Sequence, residues 1–93
     1  MALVFEWDIR KAESNQRKHK VSFDEAKQVV GDPLAITFHD ESHSDGEDRF
    51  ITIGLTGRRR VLLAVHTETL AVNDDVIIRL ISARRATPSE RKV

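Results

Sequence analysis

Ninety-three residues, two-fifths of them hydrophobic and with a formal net charge of zero, suit one folded domain over 1–93 with a single core and little room for a second. The absence of cysteine excludes disulfides and thiolate metal sites, and no apolar run reaches membrane-spanning length. Neutrality hides an asymmetry: residues 1–48 hold six Lys/Arg against eleven Asp/Glu, whereas residues 49–93 hold nine against four. A chain divided this way either neutralises itself across the fold or carries a basic face. The opening MALVFEWD is acidic where a signal peptide is basic, so the cytoplasm is the expected compartment.

Leu3 to Trp7 reads as a short strand, with Phe5 and Trp7 on one side and Glu6 on the other. Asp8 is placed to cap a polar surface helix over Ile9–Lys20, on which Lys11, Asn15, Lys18 and His19 share roughly one face. A second helix starts at Ser22, with Glu25 three residues on for a capping box and Phe23, Ala26, Val29 and Val30 as its apolar stripe. Gly31, Asp32 and Pro33 end it. Leu34–Phe38 is the next expected strand, followed by the acidic loop HDESHSDGED from His39 to Asp48.

Arg49–Leu55 and Val61–His66 read as strands joined through Gly57, with Arg58, Arg59 and Arg60 at the turn as a solubilising tip. Thr67–Asp75 contains another turn near Asn73 and Asp74. Val76–Arg85, VIIRLISARR, has large aliphatic residues on both alternating faces, the mark of a central strand. Arg79 within it needs a partner or a ligand, because a buried guanidinium cannot shed its charge. Thr87, Pro88 and Glu90 carry the signals of a C-terminal helix start. The element order implies an α+β fold, with a largely antiparallel sheet of four to five strands, two N-terminal helices and a C-terminal helix.

His39, Asp40, Glu41, His43, Asp45 and Glu47 crowd one loop with metal-ligand chemistry, but without the helical spacing that would define a site. Metal-free RNA cleavage needs a base for the 2′-hydroxyl, cations for the charged phosphorane and an acid for the leaving oxygen. The chain offers Glu47, Lys18, His19 and His66 as proton carriers, and Arg49, Arg79 and Arg84 as charge stabilisers. A histidine closing an apolar strand, as His66 does, is more often a packed residue than a base. The same arginines would equally suit a non-catalytic module gripping an acidic protein or a nucleic-acid backbone.

FEWDIRKAESNQRKHKVSFDEA, then Asp32-Pro33, Gly46-Glu47-Asp48-Arg49-Phe50 before Ile53-Gly54, Val65-His66-Thr67 and IRLISARRATPSER resemble, in register, the BrnT family of type II toxins. The resemblance spans nearly the whole chain. It implies a RelE-like fold, ribonuclease activity that stops translation, and a BrnA antitoxin whose ribbon-helix-helix domain binds operator DNA, so that DNA is met only through the partner. It further implies catalytic roles for Lys18, Glu47, Arg49 and Arg84 without a metal or cofactor. Together with the reading of the residues, the expected site has Lys18, Glu47, Arg49, His66 and Arg84 as catalytic groups, and His19, Arg79 and Arg85 holding RNA phosphate. Glu47 and His66 remain alternatives for the base.

Overall fold

The computed structural model describes residues 2–43 and 46–92. In chain order these form β1 (Leu3–Glu6), α1 (Ile9–His19), α2 (Phe23–Val30), β2 (Ile36–His39), β3 (Arg49–Leu55), β4 (Val61–Leu70) and β5 (Val76–Arg85). Single 3-10 turns occupy Glu41–His43 and Glu90–Lys92. One five-stranded sheet results, in the order β1-β5-β4-β3-β2.

Strands β2 to β5 pair antiparallel as neighbours, but β1 runs parallel to β5, from Leu3 opposite Val76 to Glu6 opposite Arg79. The sheet is therefore mixed. Nothing in LVFE fixes its direction; the helices and three strands that intervene let the chain return to β1 either way round. Across this parallel pair Arg79 Nη1 donates to Glu6 Oε2 at 2.7 Å, which supplies the partner its guanidinium required.

Local signals account for most of the boundaries. Asp8 Oδ1 accepts from the Arg10 and Lys11 amides at 2.8 and 3.2 Å, and α1 ends where Lys20 turns left-handed at φ 59°. Ser22 Oγ accepts from the Glu25 amide at 3.1 Å. The carboxylate of Glu25 does not complete the expected box, because it turns inward to Thr56 and Arg60. Strand β2 starts two residues later than expected: Asp32 holds residues 32–35 in a turn by accepting from the Leu34 and Ala35 amides. Strand β4 runs past His66 to Leu70, leaving only Ala71–Asp75 for the turn, with Asp74 at φ 68°.

The expected C-terminal helix is absent among the described residues. Its capping box does form: the Thr87 amide donates to Glu90 Oε1 at 2.8 Å and the Glu90 amide to Thr87 Oγ1 at 3.3 Å. Only the Glu90–Lys92 turn follows, since Glu90 also clamps Arg84 and so ties the segment to β5. A capped start that gains no further turns cannot repay helix nucleation.

Helix α2 covers one face of the sheet. Val21, Phe23, Ala26 and Val29 pack on Leu62, Ala64, Leu80 and Ala83, while Trp7 lies edge-on to Phe23 with ring centroids 5.8 Å apart. Helix α1 lies beside β5 beyond the end of β1. There Asn15 acts in place of a strand, accepting from the Ala83 amide at 3.0 Å and donating to the Ala83 carbonyl at 2.8 Å. The opposite face of the sheet has no helix over it, and Ile36 and Phe38 stand exposed there.

Candidate functional site

One irregularity decides which side chains reach the open face. In β5, Leu80 pairs with His66 and Ser82 with Val65, so Ile81 is an extra residue without a partner, a β-bulge. Ile78 and Leu80 point into the helix-covered core, at 2% and 1% exposure. Unbroken alternation would send Ser82 and Arg84 the same way. The bulge reverses the parity: Ala83 enters the core instead, and Ser82 and Arg84 turn to the open face.

A cavity of about 430 Å³ lies on that face. Phe38, Ile51, Ile53, Leu63 and Val65 form its apolar floor, and His19, Ser82, Arg84 and Glu90 its polar rim. Beside it a smaller cavity of about 240 Å³ is lined by Lys11, Lys18, His19 and Ser82 among others. His19 and Ser82 belong to both, so the end of α1 and the end of β5 together line two adjoining depressions. A separate groove between α1 and α2, lined by Trp7 and Phe23, lies apart from these cations.

Arg84 is held by a fork. Its Nη1 and Nη2 donate to the two carboxylate oxygens of Glu90, each at 2.8 Å, and Nη1 also reaches the Arg85 carbonyl at 3.3 Å. This pairing and the Thr87 amide pull Glu90 down to a pKa of about 2 and raise that of Arg84. The pair stays ionised at any ordinary pH. Arg84 Nε–H has no acceptor among the described residues and remains available to a ligand.

The other expected residues are dispersed. Arg49, Thr67 and Arg79 align across β3, β4 and β5, which puts both arginines on the open face. They lie four β4 residues from Leu63, the partner of Arg84, so roughly 13 Å separates the two levels at the usual strand rise. Glu47 is exposed in the bend before β3, at the Arg49 end. Arg85 pairs with Leu62 and so shares the alternation of the helix-covered face. Lys18 and His19 thus join Arg84, while Glu47, Arg49 and Arg79 lie at the far end. Of the acidic loop, Asp45 and the side chain of His43 fall outside the described residues; among the others no three metal-ligating groups converge.

His66 is fully buried on the helix side, stacked on Phe50 with ring centroids 6.0 Å apart. Its Nε2 lies 2.7 Å from Thr52 Oγ1, which in turn lies 2.8 Å from Thr37 Oγ1. Nδ1 has no hydrogen-bond partner among the described residues, a carboxylate oxygen of Glu68 being 3.7 Å away. Burial pushes this ring down to a pKa of about 4, against a smaller opposing effect of the Thr67 backbone. The native state therefore binds fewer protons than the unfolded chain between that value and the ordinary 6.5, and stability falls as pH drops through this window. We expect urea unfolding to show a loss of about 2 kcal/mol between pH 7 and pH 5, and His66→Gln to flatten that slope. A wild-type stability unchanged across the window would mean that the ring is not buried in its neutral form.

Sequence reasoning missed Ser82 and the second role of Glu90. Glu90 was legible only as a cap, and no residue pattern announces the bulge that turns Ser82 outward.

The comparisons with known proteins agree with the fold. A family described as the ribonuclease toxin BrnT of type II toxin–antitoxin systems matches residues 7–90. The 1.1 Å crystal structure of the Brucella abortus ribonuclease toxin BrnT superposes with a TM-score of 0.63 at 19% identity, covering 94% of this chain and 99% of that one. No curated protein matches the chain. With the family match extending from Trp7 through Glu90, and strands β2 to β5, both helices and the Arg84 rim inside it, the chain belongs to the BrnT family of ribonuclease toxins of type II toxin–antitoxin systems.

Proposed function

We propose that the chain is a metal-independent endoribonuclease that arrests translation by cutting RNA, and that a BrnA-type antitoxin neutralises it in the cytoplasm. The observation that carries the reading is the convergence of Lys18, His19 and Arg84 around Ser82, at the mouth of an open cavity. In the reaction the ribose 2′-oxygen bonds to phosphorus and the bond from phosphorus to the 5′-oxygen breaks. The 2′-proton goes to a base and the departing 5′-oxygen receives one from an acid. Arg84 and Lys18 are suited to steady the additional negative charge on the phosphorane. His19 is the proton carrier best situated, since it lines both cavities. His66 has no exposure and is left out of this mechanism, and Glu47, Arg49 and Arg79, at the far end of the face, are left out of the cleavage step as well.

One observation favours the non-catalytic alternative: both Nη atoms of Arg84 are already engaged by Glu90. Purified protein free of antitoxin, incubated with RNA in the presence of a chelator, decides between them. Fragments ending in cyclic phosphate and 5′-hydroxyl are expected. Intact RNA, with or without ribosomes, would leave only the binding module.

A further inference from the structure

Arg58 and Arg59, at the turn between β3 and β4, have no part in the cavity just described. The register puts this turn at the Arg84 end of the molecule: Leu55 faces Val61, and Leu63, two residues on, faces Arg84. Helix α1 ends there too, because Arg60 Nη1 donates to the Lys20 carbonyl at 3.2 Å. At the other end of the strands lie the acidic β2–β3 loop, with Asp40, Glu41, Glu47 and Asp48, and the turn holding Asp74 and Asp75. The arginine turn and these carboxylates therefore lie at opposite ends of the strands.

The turn is held rigidly. Its four successive amides are all bonded: Gly57 to Gln28 Oε1 at 2.9 Å, Arg58 to Thr56 Oγ1 at 3.2 Å, Arg59 to the Thr56 carbonyl at 2.9 Å, and Arg60 to Thr56 Oγ1 at 3.4 Å. Arg59 sits at φ 63°, a left-handed conformation that glycine or asparagine would adopt more readily. The Arg58 side chain is 74% exposed, and its Nη1 makes only a long ion pair, at 3.8 Å, with Glu25 Oε1, whose closer partners are Arg60 and Thr56. Arg59 is exposed and has no ion pair among the described residues.

We infer that this turn, with Lys20 beside it, is a second nucleic-acid contact that grips the phosphates of an RNA strand leaving the Arg84 depression. The turn's backbone is fixed before a strand arrives, and spaced positive charges are all that a phosphodiester backbone requires. An acidic protein partner would call for apolar or aromatic anchors, and residues 57–59 offer none. The inference rests on the ribonuclease reading only in taking RNA as the strand.

The test is binding of 2′-O-methyl RNA, which lacks the nucleophile and cannot be cut, by the full chain carrying Arg58→Gln with Arg59→Gln. For a long single strand we expect roughly tenfold weaker binding at low salt, and a slope of log affinity against log salt smaller by about 1.4, two phosphates' worth. A trinucleotide should bind as it does to wild type, and the Arg58→Lys, Arg59→Lys pair should keep both affinity and slope. Unchanged affinity and slope in the glutamine variant would overturn the assignment. So would an equal loss for the trinucleotide, which would indicate a damaged depression, or a loss of polyglutamate binding with RNA binding intact, which would assign the turn to an acidic protein. Because nothing is cut, the outcome is independent of cleavage: a wild-type chain that fails on natural RNA overturns the ribonuclease reading and leaves this contact standing.

Discussion

Replacing Arg60 with alanine is expected to destabilise the fold by roughly 3–5 kcal/mol, a large part of what a domain of this size has. The reason lies in Glu25, whose side chain is only 4% exposed. Its two oxygens are held by Arg60 Nη2 and by Arg60 Nε at 2.9 Å, with Thr56 Oγ1 adding a third bond at 2.8 Å. Removing the guanidinium leaves a buried carboxylate with the Thr56 hydroxyl and only the exposed Arg58, 3.8 Å away, as partners, and releases the end of α1 from the Lys20 carbonyl contact. Glu25→Gln should cost less, because a neutral amide can stay buried with Thr56. The Arg60 contact holds the Glu25 carboxyl below its usual range, against the opposing effect of burial. Its contribution is therefore present above the ordinary carboxylate pKa and is lost as pH falls through the folded value, a window lying below most of that of His66. Urea unfolding at neutral pH and in acid measures both effects; an Arg60→Ala variant within 1 kcal/mol of wild type would show that solvent or Arg58 replaces the lost partner.

Arg84→Ala should lower the rate of RNA cleavage by about 10² to 10³, the usual effect of deleting one preorganised donor to a developing charge. The stability cost should be small, since the Arg84 and Glu90 side chains are 40% and 26% exposed and Glu90 can turn to water. Glu90→Ala separates a chemical role from a structural one. It frees the guanidinium while keeping it on β5, so cleavage should persist and RNA should bind more tightly. If Glu90→Ala loses as much activity as Arg84→Ala, the fork matters for holding the C-terminal turn and the charge on Arg84 has no direct part.

Much of the fold was legible along the chain. The caps at Asp8 and Ser22, the apolar stripe of α2 and the aliphatic runs of β3, β4 and β5 are local signals, and local hydrogen bonds and burial realise them. The turn near Asn73 and Asp74 was legible for the same reason. The direction of β1 was not, nor the failure of the C-terminal segment to continue as a helix. Both depend on partners distant in sequence or already engaged elsewhere: β5 for the first, and for the second the Glu90 carboxylate shared between a cap and Arg84.

The candidate site divides the same way. By itself the sequence determined which cations were available and that the basic ones gathered in its second half, because residue identity and order suffice for that. Tertiary structure alone decided which of them meet. One unpaired residue, Ile81, turns Arg84 from the core side to the open face, since side chains alternate with a period of two and a single insertion inverts all that follow. The pairing of strands then separates Arg49 and Arg79 from Arg84 along the sheet, and brings Lys18 and His19 alongside it from the end of α1.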